Sequence, residues 1–153
     1  MTGPSDSVEA LLPPDRHIVI VAGAAAEFLD QPLDPKALCY AADDILYLMS
    51  ASGSYHVAQV VLEAWAAAPP DNGQDAEAQK QVTLTLSGGT VHVSGMLEFP
   101  VSRSLTVGPP GRYHAQVSVT GRAELRRIQG LPSHPIPIVG VEQFRVRFWA
   151  ADN

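Results

Sequence analysis

The chain has 153 residues, 46% of them hydrophobic and 17% charged, a size and composition that suit one folded domain with one core and exclude wholesale disorder. A single cysteine, Cys39, excludes an internal disulfide framework and an all-cysteine zinc site and points to a reducing compartment. The net charge of −6 argues against nucleic acid as a partner, because that affinity comes from basic groups that neutralise phosphates.

The charge is unevenly spread. Residues 1–80 hold 12 acids and 3 bases, whereas residues 81–153 hold 4 acids and 7 bases, all of them arginine. This asymmetry marks a polarised surface if the halves stay apart in the fold, and disappears if their strands share sheets. No apolar stretch reaches the roughly 18 residues of a membrane span. The N-terminus "MTGPSDSVEALLPPDRH" has neither a basic start nor an apolar run of signal-peptide length. The expectation is a cytoplasmic protein with no membrane partner.

Residues 1–15 are polar and end in Pro13-Pro14, which predicts a flexible tail ahead of a single domain over residues 16–153. The β-branched run Ile18 to Val21 predicts a strand near 16–24, and "AAAEFLD" suits a short helix equally well. "QPLDPKALCYAADD", with Pro32 and Pro35, reads as a connection. Asp43-Asp44 then fits a turn better than a cation site, because no spaced oxygen ligands follow as a calcium loop requires. A strand at 45–51 and a Ser-Gly-Ser turn follow. The segment 56–66 has helical spacing at Val57, Val60, Val61, Ala64 and Trp65, but its valines after a turn favour a strand.

Period-2 alternation is clearest further on. Val82, Leu84 and Leu86 alternate with threonines, turn at Gly88-Gly89 and return through Val91 and Val93, predicting a hairpin over 80–87 and 90–95. Strands at 102–107 and 112–120 flank a Gly-Pro-Pro-Gly corner. A last strand at 141–149 points Phe144, Val146 and Phe148 inward and Arg145, Arg147 and Trp149 outward. About eight strands with frequent Gly and Pro turns define the expected fold class, an all-β, antiparallel two-sheet β-sandwich.

The segment Gly121 to Gly140 exceeds an ordinary loop and carries Pro132, Pro135 and Pro137, so it predicts an exposed contact arm, with a short helix at "AELRRIQ" and a fold-back that covers an open end of the sandwich as the alternatives. Its candidate partner-binding residues are Arg122, Arg126, Arg127, Leu131 and Ile136. On the final strand, Arg145, Arg147 and Trp149 are candidates, since guanidinium pairs with carboxylate and indole supplies contact area.

The five histidines form no His-x-His pair and no helical His pair, so no metal site is expected. Neither Cys39 nor any serine lies in a nucleophile motif, and no Gly-rich loop leads into a helix as a phosphate site requires. No catalytic residues and no cofactor are therefore expected. A hydrolase-like sandwich would need Asp43, Asp44, His56, Glu63 or Glu98 to converge.

The runs "APPDNGQDAEAQKQVTLTL", "LTVGPPGRYHAQVSVTGR" and "VEQFRVRFW" resemble a bacterial β-sandwich group, the ComJ-like proteins, named for competence protein J, a nuclease inhibitor. The resemblance spans about Ile45 to Trp149 and rests on structural motifs: Gly111, whose flexibility permits the corner, Tyr113, which anchors the next strand, and the closing strand. It implies a non-enzymatic protein-binding module, an inhibitor or immunity-type partner of a basic protein such as a nuclease. A second copy of the chain is the other protein partner expected, and a small-ligand-binding sandwich is the alternative function.

Overall fold

The computed structural model describes residues 3–52, 56–70, 75–95 and 100–151. Segments with apolar residues at alternate positions become strands because those side chains find a common interior. In chain order they are β1 (Asp6–Leu12), β2 (Ile18–Ala22), β3 (Cys39–Ala42), β4 (Ile45–Met49), β5 (His56–Ala64), β6 (Ala78–Leu86), β7 (Thr90–Ser94), β8 (Leu105–Thr106), β9 (Gly111–Thr120) and β10 (Ile138–Ala150). One helix, α1 (Arg122–Gln129), lies between β9 and β10. Among the described residues no helix is long and apolar enough to cross a membrane.

The first sheet has the order β1-β5-β10-β9-β6 and the second the order β3-β4-β2-β7-β8. The expected two-sheet β-sandwich is present, with ten strands rather than about eight. It is also not antiparallel throughout, because β10 runs parallel to β5 at the centre of the first sheet. Strands from both halves of the chain share each sheet, so the sequence asymmetry in charge is largely mixed by the fold.

Two strands correct the sequence reading. Residues 6–12, expected in a flexible tail, pair antiparallel with β5 from Asp6↔Ala64 to Leu12↔Ala58. Val8, Ala10 and Leu12 enter the core, and the polar residues between them hid that parity. Cys39–Ala42, expected in a connection, pairs with β4 and buries the Cys39 thiol, whose pKa burial pushes up. The 56–66 segment is a strand, as its valines indicated. The turn residues Gly53, Ser54 and Tyr55 lie outside the described residues.

The main core lies between the sheets, where Val60, Leu62, Val117, Phe144, Val146 and Phe148 meet Val19, Val21, Leu46, Leu48 and Val93. A second cluster lies on the outer face of the second sheet. There Ile18, Ile20, Ile45, Tyr47 and Met49 are covered by Ala26, Leu29 and Leu33 of the loop at 23–38. Asp43 and Asp44 form the turn between β3 and β4, where Asp43 accepts the Thr85 N–H at 3.2 Å and Asp44 the Ser87 N–H at 2.9 Å.

The Gly-Pro-Pro-Gly corner is scaffold, but its critical glycine is not Gly111. A Cβ on Gly111 would meet nothing within 4 Å, whereas one on Gly108 would lie 2.4 Å from the Tyr113 hydroxyl. That hydroxyl donates to the Pro109 carbonyl at 2.6 Å and holds the corner on the strand that follows. Gly108→Ala is therefore expected to cost about 1–2 kcal/mol by displacing Tyr113, while Gly111→Ala stays within about 0.5 kcal/mol. Leu12→Ala is expected to cost about 2–4 kcal/mol. Chemical denaturation of the three variants checks both statements, and a neutral Leu12→Ala would restore the flexible-tail reading.

Candidate partner-binding surface

The segment after β9 begins at Gly121, whose φ of +84° and lack of room admit glycine alone, since a Cβ would lie 1.8 Å from the Val141 carbonyl oxygen. The chain then turns into α1, and the helix is fastened at several points. Its N-terminus has no cap from Gly121; instead the Glu77 carboxylate accepts the N–H groups of Arg122 at 2.8 Å and Ala123 at 3.1 Å. Leu125 is fully buried, and Gln129 donates to the Ser52 hydroxyl at 3.0 Å. The helical half of the segment thus closes one end of the sandwich, which is the helix and covering alternative rather than the exposed arm.

Arg122 turns inward. Its guanidinium donates to the Met49 carbonyl, stacks 5.9 Å from the Phe144 ring and places Nε 3.4 Å from Glu142 Oε2. Burial lowers its pKa, and the carboxylates of Glu142 and Glu77 oppose that shift.

Glu142 is fully buried because of an irregularity in β10. Val139 faces Val57 and Gln143 faces Gln59, so Gly140, Val141 and Glu142 stand opposite the single residue Ala58. Gly140, with φ of +73°, accommodates the bulge. Glu142 Oε1 accepts the Ser50 hydroxyl at 2.5 Å and Oε2 the Ala51 N–H at 2.9 Å. His56, also buried, brings Nε2 to 3.0 Å from Ser50 Oγ and 2.9 Å from the Ser52 carbonyl.

Serine, histidine and glutamate therefore meet, but not in the order of a nucleophilic triad. A carbonyl can only accept, so the contact with Ser52 assigns the proton to His56 Nε2. The Ser50 hydroxyl has the Glu142 carboxylate at 2.5 Å and the Ser52 carbonyl at 2.9 Å as acceptors, and His56 Nδ1 has no hydrogen-bond partner among the described residues. With its proton on Nε2, His56 donates to Ser50 Oγ and does not accept from it. Of the other carboxylates named for a hydrolase, Asp43 and Asp44 form a turn and Glu63 faces outward on the first sheet, while Glu98 lies outside the described residues. Among the described residues no three His, Cys, Asp or Glu side chains gather as metal ligands.

The other candidates remain outside. Arg126 and Arg127 are exposed, with Arg127 paired to Glu124 one turn back at 2.5 Å. Leu131 and Ile136 are 42% and 73% exposed on the arm that follows α1, whereas Ile138 is buried at the start of β10.

The outer face of the first sheet holds the last three candidates. Register places Ser7, Glu63, Arg147, Gln116 and Gln81 in one row and Glu9, Val61, Arg145, Ser118 and Gln79 in the next. Glu63 lies 3.7 Å from both Arg145 and Arg147 and accepts the Trp65 indole N–H at 3.0 Å. Arg147 is nearly covered and stacks on Trp65, with 5.7 Å from its Cζ to the ring centre. Trp149 packs against His114 at 5.4 Å. Arg145, half-exposed, is the one of the three open to a partner. The opposite face carries the loop at 23–38, where Glu27, Asp30 and Asp34 are exposed with Lys36 as the single base.

These features define a two-layer β-sandwich of ComJ-like fold, with an open polar face on one sheet and a loop-covered face on the other. ComJ of Bacillus subtilis, inhibitor of the DNA degrading activity of NucA, superposes with a TM-score of 0.61 at 11% identity over 99% of both chains. The product of crocagin biosynthetic gene J does so with a TM-score of 0.60 at 17% identity, over 96% of this chain and 98% of the other. At such identities the likeness is one of fold. No protein-family model and no curated protein sequence matches the chain.

Replacing Glu142 by alanine leaves the partly buried Arg122 guanidinium, the Ser50 hydroxyl and the Ala51 N–H without their acceptor. The expected loss is about 3–5 kcal/mol of stability by urea unfolding. A change below about 1 kcal/mol would show that water enters the site and supplies the missing hydrogen bonds.

Proposed function

We propose that this chain is a non-enzymatic protein-binding module of the inhibitor type, whose partner is a basic protein such as a nuclease. The observation that carries the reading is the extent of the ComJ-like fold, which covers 99% of both chains. The polar node at the sandwich end supports it, because the serine and histidine there act as structural groups.

The two outer faces divide the work of recognition. The net charge of −6 attracts a basic partner at long range, and Glu27, Asp30 and Asp34 concentrate that charge on one loop. On the first sheet, Arg145 beside Glu63 offers the short-range contact that holds a complex once formed. Arg126, Arg127, Leu131 and Ile136 lie at the adjoining end of the molecule as further contact area. Self-association through the same open face is the alternative for a second copy of the chain.

The test is affinity capture from the native bacterium, followed by kinetics with the captured protein and an assay of its DNA-degrading activity. Neutralising Glu27, Asp30 and Asp34 is expected to slow association and flatten its salt dependence, while Arg145→Ala speeds dissociation by about tenfold. A partner with no enzymatic activity to inhibit, or binding indifferent to salt and to both sets of changes, would overturn the reading.

A further inference from the structure

The loop at 23–38 covers the second sheet only in part. Over β3 and β4 it is sealed, with the Leu29 N–H on the Tyr47 hydroxyl at 3.1 Å and the Asp34 N–H on the Tyr40 hydroxyl at 2.8 Å. Towards β7 it stands away and leaves a cavity of about 200 Å³. Ile20, Ala22 and Ile45 form the floor, Ala26 and Phe28 one wall, and His92 with Ser94 the other. Strand register explains the second wall, since Ala22 pairs with His92 and Ile20 with Ser94, so all four side chains face outward together.

Three observations distinguish this cavity from an accidental gap. Its backbone rim is fixed in advance: the Gly23 N–H donates to the Asp44 carbonyl at 2.8 Å, and a Cβ there would lie 2.6 Å from the Asp44 carboxylate. Phe28 stands at the mouth 48% exposed, although aliphatic surface lies beside it. Ser94 donates to the Gly95 carbonyl at 3.1 Å, while the His92 imidazole has no hydrogen-bond partner among the described residues.

We infer that this cavity binds a free small aromatic molecule about the size of a phenol or an indole. Its ring lies on Ile20, Ala22 and Ile45 with Phe28 against it, and its hydroxyl or N–H meets the His92 imidazole. The volume suits one ring system and is below the usual range for larger ligands, roughly 300–1,000 Å³. The site faces away from Arg145, so it stands or falls independently of the protein-binding reading.

Methyl-detected NMR titration of the whole chain with p-cresol, indole and toluene tests the inference. Saturable shifts are expected at Ile20, Ala22, Ala26 and Ile45. Ala26→Leu, on a partly exposed loop residue, is expected to fill the site and abolish binding without changing the melting temperature. His92→Phe keeps a ring in place and is expected to weaken p-cresol by about fivefold while leaving toluene unchanged. Absence of saturation, or equal loss of p-cresol and toluene in His92→Phe, would overturn the inference. Tighter binding of N-acetyltyrosine amide than of p-cresol would overturn it too, because the recognised group would then be a partner's tyrosine with its backbone.

Discussion

The carboxylate of Glu142 is the point on which the closed end of the sandwich depends. A charge removed from water is tolerated only when hydrogen bonds and an opposite charge replace its hydration. Here the replacements come from separate parts of the chain: Ser50 and Ala51 from the end of β4, and Arg122 from α1. The carboxylate needs the helix to supply its guanidinium, and Arg122, itself largely covered, needs the carboxylate. The bulge in β10 sets Glu142 at this position and allows the remainder of the strand to resume its register with β5. Helix, bulge and the turn after β4 are therefore one cooperative unit rather than three local features.

The two sheets meet water differently, and the difference is written in their strands. β2 and β4, "IVIVA" and "ILYLM", are apolar at successive positions and buried along their whole length. One face enters the core and the other needs a cover, which the loop at 23–38 supplies. β5, β6, β9 and β10 alternate instead. Their outward residues include Gln59, Gln79, Gln81, Ser118, Gln143 and Arg145, which remain hydrated with no layer above them. Continuous apolar runs and alternating ones thus distinguish a covered face from an open one before any pairing is known.

Legibility followed from that same contrast. The hairpin of β6 and β7, the strand β9 and most of β10 were readable because alternation is dense and their turns carry Gly or Pro. β1 was missed because three inward residues, Val8, Ala10 and Leu12, are diluted by acids and followed by two prolines. β3 was missed because four residues between proline-rich connections are too few for a period to register. The start of β10 at Ile138 was hidden by Pro135 and Pro137 on one side and Gly140 on the other. The parallel pairing of β5 and β10 has no local signature, since it depends on where the chain returns after α1. The node around Glu142 was equally invisible: its members are single residues, with Ser50 and Glu142 92 positions apart.

The arginines after β9 show how one structural decision reassigns residues that composition treats alike. As an extended arm, "GRAELRR" offers Arg122, Arg126 and Arg127 as one basic patch. Once residues 122–129 are helical, about 100° per residue puts positions 122, 125 and 129 on one face, 124 and 127 on the opposite face, and 126 on the flank beside 122. The first face meets the sandwich, where Arg122 joins Glu142, Leu125 enters the interior and Gln129 reaches Ser52. The second meets water, where Glu124 holds Arg127 one turn away, and Arg126 is exposed on the flank. Glu77 settles the choice between arm and helix, because its carboxylate accepts the first two helical N–H groups, which an extended chain would present elsewhere. An acid from the opposite half of the sequence thus fixes which arginines remain available to a partner.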